Sequence, residues 1–380
     1  GLPVAAEALL RECEELLAQA EALGETVHLE RCTFWRDKGE PERALAEARA
    51  SGSIGAVILA LNAAVLRAMR LDRLAEAQRL TEEYLSRVRE TGTLTEMRTA
   101  LLCAYAIALR QGRVAEMEQR AAELEALLSV CTDPQGRAER QVGLRVMLVG
   151  LGRFDEARAI EDAHVPLWEE LGNRYALTFA LTGRGEAELL LGRYRESSAT
   201  LQRCVEISES QGFPATRALG LLALAALAAG DLSEAERCAQ RCEEAYRHAG
   251  QADSFGAHLV RGHVALAAGR LDEAQRAWRG ALRTLTPNTV MLFGNVWDVL
   301  PGVALLLAKL GEAERAVEIY SLARQAPFAA NSCWHEDICA RPIAAAAASL
   351  PPEAIRAAQE RGRARDPQAT AKELLAELEA

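Results

Sequence analysis

A six-residue pattern recurs along this chain at intervals of about 40 residues. It reads Gly, any residue, an apolar residue, any residue, Glu or Arg, and then a small residue, as in Gly152–Ala157 and Gly192–Ser197. Copies of varying strength begin at positions 39, 72, 112, 152, 192, 230, 269 and 311, with Asp72 in place of the glycine at the second. Such even spacing is typical of a repeat architecture, so the chain is predicted to be one array rather than several globular domains.

Each repeat is predicted to hold two helices of roughly 15–18 residues. The glycine follows an apolar run and supplies the left-handed conformation that ends a helix. The small residue five places later falls in the first turn of the next helix and lets the two helices approach closely. Further breaks lie midway between the markers, at Gly92, Asp133-Pro134, Gly172-Asn173, Gly212-Phe213-Pro214, Gly250 and Pro287-Asn288.

Strand signals are almost absent, and the good helix formers Ala, Leu, Glu and Arg dominate the sequence. We therefore predict an all-α solenoid of about eight antiparallel helix pairs. In a solenoid each pair buries its apolar face against its neighbours, so we expect an elongated shape in which each repeat contacts only the adjacent ones.

The turn pattern resembles that of the tetratricopeptide repeat. The small residue that this family has seven places before the glycine is matched by Gly185, Ala223, Gly262 and Ala304. The small or apolar residue twelve places after it is matched by Cys204, Cys242, Ala281 and Ala323, whereas His164 departs from the pattern. The period near 40 exceeds the usual 34 and is similar to that of the maltose-activator type of bacterial regulator. The resemblance implies a right-handed superhelix.

The last part of the chain differs from the repeats. Seven of the twelve prolines follow residue 286. Pro327 to Asp337 leads into a predicted helix that reaches about Leu350, and further helices start at Pro351 and Asp366. We therefore divide the chain into a repeat array, residues 1–325, and a C-terminal helical capping segment, residues 326–380. This segment resembles the C-terminal end of STAND-type signal-transduction ATPases, large bacterial regulators that join a nucleotide-binding switch to a repeat sensor.

In the tetratricopeptide family the partner binds on the concave face, which is lined by the first helix of each pair. Carried over to this chain, the groove positions are mostly apolar with isolated polar points. The predicted partner-binding residues are Glu186, Arg217, His263 and Asp298, together with Trp297 as an exposed aromatic anchor. Other groove positions are Glu139, Val142, Phe179, Leu189, Gly220, Leu224, Gly256 and Leu259.

Several function classes are disfavoured by the sequence. There is no phosphate-binding Gly-x-x-x-x-Gly-Lys-Ser/Thr motif, no Gly-x-Ser-x-Gly elbow and no His-Glu-x-x-His, so we expect neither an enzyme nor a cofactor. The net charge of −10 argues against general nucleic-acid binding. No apolar run approaches the roughly 20 residues of a membrane helix, and no leader segment opens the chain. The nine scattered cysteines do not suggest a secreted disulfide framework, which favours a cytoplasmic location away from membranes.

Two cysteine clusters have spacings that could suit a metal site. Cys238 and Cys242 share one helical face, but no second pair accompanies them, and core packing is the better interpretation. Cys333, His335 and Cys339 lie close together beside Trp334, and for them a metal site and a small capping core both stay open.

These features favour a ligand- or protein-sensing, autoinhibitory repeat domain of a multidomain bacterial ATPase or transcriptional regulator. Its partners would be a protein, a peptide or a small-molecule inducer in the concave groove, and a nucleotide-binding domain upstream in the same polypeptide. The alternative is a constitutive scaffold for protein–protein interaction.

Overall fold

The computed structural model describes residues 28–71, 73–251, 254–285 and 296–379, together with residues 13 and 15–17 ahead of them. Within these ranges the regular structure is helical and contains no strand, so the predicted all-α class is confirmed. Two predicted features, the marker at Asp72 and the break at Pro287-Asn288, lie outside the described residues. No helix in the described part of the chain combines the length and hydropathy required to cross a bilayer.

Eight consecutive helix pairs occupy residues 28–323, as the repeat predicts. The first four are α1 (His28–Asp37) with α2 (Pro41–Ser51), α3 (Ile54–Arg70) with α4 (Leu74–Thr91), α5 (Leu94–Arg110) with α6 (Val114–Ser129), and α7 (Pro134–Gly150) with α8 (Phe154–Glu170). The next four are α9 (Arg174–Leu190) with α10 (Tyr194–Gln211), α11 (Thr216–Ala228) with α12 (Leu232–His248), α13 (Phe255–Ala267) with α14 (Leu271–Arg283), and α15 (Val296–Lys309) with α16 (Ala313–Ala323). The helices of each pair pack together and each pair packs on the next, which gives a tetratricopeptide-like solenoid.

In the seven pairs whose marker lies among the described residues, the turn is built around that marker. Seven marker residues are glycines with φ between 67° and 89°, the left-handed conformation that ends the first helix. The residue five places after the marker is at most 1% exposed in every pair, which confirms that it lies where two helices meet. These residues are Ala44, Ala77, Met117, Ala157, Ser197, Ala235, Ala274 and Ala316.

The packing of the two helices also explains why the residue seven places before the marker is small. A Cβ added to Gly262 would lie 2.6 Å from the ring of Trp278, and one added to Gly185 would lie 2.5 Å from Leu201. In these two repeats the backbone of the first helix therefore rests directly on a large side chain of the second helix, and a side chain at Gly185 or Gly262 would separate them.

The C-terminal segment continues with short helices and then with two longer ones. The elements are α17 (Pro327–Asn331), α18 (Cys333–His335), a π-helical turn (Glu336–Ala340), α19 (Arg341–Ala346), a 3-10 turn (Ala347–Ser349), α20 (Pro352–Ala364) and α21 (Pro367–Glu379). Helix α20 packs along α16, and α21 contacts α14 and α15, so both cover the last pairs of the array. Arg361 and Arg365 fix α20 by ion pairs of 2.7 and 2.6 Å to Glu318.

Residues 327–340, which we call the strap, run back along the inner side of the array. The Trp334 indole N–H donates a hydrogen bond of 3.1 Å to the Leu224 carbonyl in α11. The Tyr194 hydroxyl donates one of 2.5 Å to the Asp337 carboxylate. The strap therefore joins the end of the chain to repeats in its middle. The expectation that each repeat contacts only its neighbours is also wrong within the array, because Trp297 of α15 donates a hydrogen bond to the Leu109 carbonyl of α5.

The strap packs against the turns at two glycines. Gly152 and Gly192 have φ of 69° and 77°, and both lie against strap atoms. A Cβ on Gly152 would come within 2.6 Å of the Pro327 carbonyl oxygen, and one on Gly192 within 3.0 Å of the Cys333 Cβ. At these two turns glycine is needed both for the backbone conformation and for the close approach of the strap.

Candidate functional site

A cavity of about 340 Å³ lies on the face lined by the first helices, the predicted concave side, with walls from α9, α11, α12, α13, α15 and the strap. The wall is largely apolar with a few charged and hydrogen-bonding groups, which is the usual composition of a small-ligand pocket. Four of the five predicted partner-binding residues line it, namely Glu186, Arg217, His263 and Asp298. Further predicted groove positions in the wall are Leu189, Gly220, Leu224, Gly256 and Leu259. Residues from four successive first helices thus meet at one cavity.

Glu186 and Arg217 form an ion pair of 2.5 Å at the cavity wall. Glu186 is 4% exposed, and its second carboxylate oxygen lies 3.4 Å from the Arg145 guanidinium. Arg145 lies 2.8 Å from Glu161, which is also buried. A cationic partner offsets the cost of burying a carboxylate, and here four side chains of alternating formal charge form one continuous chain. Arg217, with 38% of its side chain exposed, is the solvent end of that chain.

The polar chain also explains the one departure from the repeat pattern. His164 is 3% exposed at a position that is small or apolar in the other repeats. Its Nδ1 lies 3.0 Å from the Glu161 carboxylate and its Nε2 lies 3.1 Å from the Gln141 side-chain oxygen. Each ring nitrogen therefore lies within hydrogen-bond distance of a polar side chain, and the substitution is accommodated within the buried polar chain.

His263 lies deep in the cavity wall between two tryptophan rings. The Trp278 and Trp334 centroids are 4.9 and 4.8 Å from the imidazole, both edge to face. Burial, with a smaller contribution from His335, lowers the pKa of His263 to about 3. Burial likewise lowers the pKa of His335 to about 4. Both imidazoles are neutral at physiological pH, so this part of the wall is aromatic and uncharged.

Asp298 and Trp297 are neighbours in sequence but do not share a site. Asp298 is half-buried and lines the cavity. Trp297 is 3% exposed, and its indole N–H donates a hydrogen bond of 2.9 Å to the Leu109 carbonyl at the end of α5. The prediction of an exposed Trp297 anchor is wrong, because this side chain joins α15 to an early repeat of the array.

The strap cysteines and His335 are better described as a small core than as a metal site. Among the described residues, no three or more His, Cys, Asp or Glu side chains are grouped so that they could hold a metal ion. Cys333 is exposed whereas Cys339 is fully buried. The His335 ring packs against Phe328 and Trp334, each with centroids 5.1 Å away.

Cys238 and Cys242 serve core packing, as the repeat register indicates. Both are fully buried in α12. The Cys242 thiol donates to the Thr216 carbonyl at 3.3 Å, and the Cys238 thiol donates to Glu234 at the same distance. Burial, the largest cause for both, raises the pKa of each thiol to about 12, so neither is a reactive thiolate.

A second, smaller cavity of about 190 Å³ lies further along the concave face. Tyr175 and Phe179 stand at its rim, 56% and 49% exposed, with ring centroids 4.9 Å apart. Arg145 and Glu161 line this cavity, and Glu186 lines the larger one. The chain of alternating charges therefore connects the two cavities.

Sequence reasoning missed the three strap residues in the wall of the larger cavity, Phe328, Trp334 and His335. The aromatic and cysteine content of this segment suggested a small capping core or a metal site, but not a wall of the cavity. Nothing in the local pattern, however, places Trp334 against a residue 110 positions earlier. The only available signal was an aromatic-rich, non-repeat segment immediately after the last helix pair.

Comparison with known proteins supports the fold and adds no family assignment. No family model and no curated protein sequence matches this chain. Among solved structures the chain is similar to the "Crystal Structure of Rap Protein Complexed with Competence and Sporulation Factor", with a TM-score of 0.58 and 13% sequence identity. The match covers 93% of this chain and 98% of the other. At this identity the similarity establishes a shared helical repeat fold only.

Proposed function

We propose that this chain is the sensing and autoinhibitory repeat domain of a multidomain bacterial regulator, with residues 1–325 as the array and 326–380 as its cap. The observation that carries the proposal is the concave cavity lined by Glu186, Arg217, His263 and Asp298. The structural neighbour is a Rap protein complexed with Competence and Sporulation Factor, so a helical repeat array of this fold can hold a bound factor.

The chemistry of the cavity suits recognition rather than catalysis. Its two imidazoles are neutral through burial, and Glu186 is engaged by two arginines. A recognition site acts on the rest of a protein by binding one conformation better than another. The array would hold an attached effector domain inactive until its ligand shifts that equilibrium.

We place a nucleotide-binding domain upstream in the same cytoplasmic polypeptide, as in STAND-type ATPases and maltose-activator-like transcriptional regulators. The turn pattern, the period near 40 and the C-terminal segment support this context. The gene sequence upstream of this region is expected to encode a phosphate-binding loop. A different effector type there would contradict the ATPase context without affecting the cavity.

The test of concave-face recognition is a cavity-filling substitution in the full-length regulator. Leu259 lines the cavity and is half-buried, so Leu259→Trp is expected to abolish the response to the inducing condition in a reporter assay. The matched control is Leu171→Trp, because Leu171 is 49% exposed at the end of α8. Both variants should keep wild-type helicity. An unchanged response in Leu259→Trp would refute recognition at this cavity.

A second candidate is a constitutive protein–protein scaffold, which the exposed rings of Tyr175 and Phe179 favour. Exposed apolar side chains at a groove rim are typical of interaction surfaces. A scaffold of this kind would lose partner binding in Phe179→Ala and retain it in Leu259→Trp, the opposite of the pattern expected for a ligand sensor.

A further inference from the structure

The strap fills one side of the concave groove. It contacts the turns at Gly152 and Gly192 and then the inner face of α11, where Trp334 bonds to Leu224. An extended partner lying along these repeats would need the same space. The groove in this structure is therefore a bounded cavity rather than an open channel.

The strap also supplies an aromatic wall of that cavity. Phe328, Trp334 and His335 line it opposite the leucines of α9, α11 and α13. The Trp334 side chain is held at both ends, by its hydrogen bond to Leu224 and by edge-to-face packing on His263. This wall exists only while the strap is docked.

The size of the cavity limits what can occupy it. A volume of about 340 Å³ lies at the lower end of the roughly 300–1,000 Å³ of small-ligand pockets. A stable protein interface buries roughly 1,200 Å² or more, which a cavity of this size does not offer. The occupant that fits between the array and the docked strap is a small organic molecule.

The distribution of charge in the cavity wall limits the chemistry of the ligand. Most of the wall is apolar, with leucines, Val260, Phe255 and the strap aromatics. Its uncharged polar groups come from the two imidazoles, Thr216, Tyr246, Gln251 and Ser254, and formal charges are confined to the Glu186–Arg217 pair and Asp298. Apolar surface inside and a few charges at fixed points favour an amphipathic ligand, with an apolar body among the leucines and rings and a polar head at the ion pair.

We propose that the strap converts the concave groove into a pocket for a small amphipathic organic molecule, which the array and the strap bind jointly. This inference rests on the proposed sensing function and names the class of its ligand. Because the ligand contacts Phe328 and Trp334 only in the docked state, its binding and strap docking stabilise each other. Strap docking is then the conformational signal of ligand binding.

The test uses 1-anilinonaphthalene-8-sulfonate, a fluorescent amphipathic molecule with an aromatic body and an anionic head. Titrated into the full chain, it should bind at one saturable site that Leu259→Trp removes. Trp334→Ala should weaken its binding about tenfold or more, because one aromatic wall is lost. Phe213→Ala is the matched control, since Phe213 packs on Tyr175 away from the cavity, and it should change affinity less than twofold.

Amide hydrogen exchange gives the second readout. The bound dye should slow exchange in residues 327–340 and leave α4, which does not line the cavity, unchanged. Trp334→Phe serves as a further variant if Trp334→Ala does not fold. It keeps a ring in the wall but lacks the bond to Leu224, so strap exchange should accelerate while dye affinity falls less than in Trp334→Ala.

The outcomes separate the two proposals. Saturable binding that neither depends on Trp334 nor protects residues 327–340 would overturn the joint site and leave concave-face sensing intact. No saturable binding, together with a lost response in the Leu259→Trp regulator, would mean that the concave ligand is not a small amphipathic molecule. An unaffected Leu259→Trp response would instead refute the proposed function itself.

Discussion

The buried imidazole of His263 provides a quantitative test of the site geometry. His263→Phe keeps an aromatic ring between Trp278 and Trp334 but removes the titratable group. Since the phenyl ring is larger than the imidazole that it replaces, overpacking should cost roughly 1–3 kcal/mol at pH 7.5. The informative quantity is the pH dependence of the free energy of unfolding.

The magnitude of this pH dependence follows from the lowered pKa of His263. The unfolded chain takes up a proton on this residue below the ordinary pKa of 6.5, whereas the folded protein does so only near pH 3. The stability conferred by the neutral buried ring is therefore complete above pH 6.5 and is lost progressively as the pH falls towards 3. At about 1.4 kcal/mol per pH unit, lowering the pH from 7.5 to 5.0 should cost the wild type about 2 kcal/mol through this residue.

The assay is urea unfolding of both proteins at pH 7.5 and 5.0. All other titrating groups are common to the two chains, so the loss of stability should be about 2 kcal/mol smaller in His263→Phe. His248→Phe is the control, because His248 is exposed in the last turn of α12 and should retain the wild-type dependence. An equal loss in His263→Phe and wild type would show that His263 is protonated in the folded protein, and its position between the two rings would be refuted.

Four other predictions concern the array. Ala274→Leu should destabilise it by roughly 1–3 kcal/mol in urea unfolding through overpacking, whereas an effect within about 0.5 kcal/mol would place Ala274 on the surface. Gly152→Ala should be more destabilising than Gly230→Ala. Both glycines have a positive φ, 69° and 82°, but only a Cβ at Gly152 would meet the strap, since Gly230 has no neighbour within 4 Å. Equal losses of stability would exclude strap contact at Gly152. Arg145→Met should cost roughly 3–5 kcal/mol because it leaves two buried glutamates with one cation fewer, and a neutral result would contradict the buried ion pairs. Calorimetry with ATP should detect no micromolar binding to this chain, and such binding would overturn its assignment as a domain without a nucleotide site.

The repeat could be predicted from sequence because each of its signals is local. A turn glycine acts through its own φ, and the small residue five places later acts through the helix pair to which it belongs, as Gly269 and Ala274 illustrate. The strap could not be predicted in this way. Its position depends on the curvature of the whole array, which brings Leu224 within hydrogen-bond distance of Trp334.

The candidate site, like the fold, was predictable where its residues follow the repeat and unpredictable where they depend on contacts between distant repeats. Glu186 and His263 lie six places before the turn glycines of their repeats, and Arg217 lies thirteen places before its own. Positions seven residues apart share a helix face, so the repeat register alone places all three on one face. Trp297 shows the limit of this reasoning. Adjacent residues on a helix point about 100° apart, so a position next to Asp298 does not face the same cavity. What the Trp297 side chain meets instead, the Leu109 carbonyl, is set by the superhelix rather than by the local sequence.

The most direct test of the central claim is a crystal structure of the full chain with bound 1-anilinonaphthalene-8-sulfonate. We predict density for the dye between Leu224 and Leu259 on one side and Phe328 and Trp334 on the other, with its sulfonate near Arg217. Dye bound elsewhere, or a strap that lies outside the groove while the dye occupies the inner face, would contradict a pocket formed jointly by the array and its own C-terminal segment.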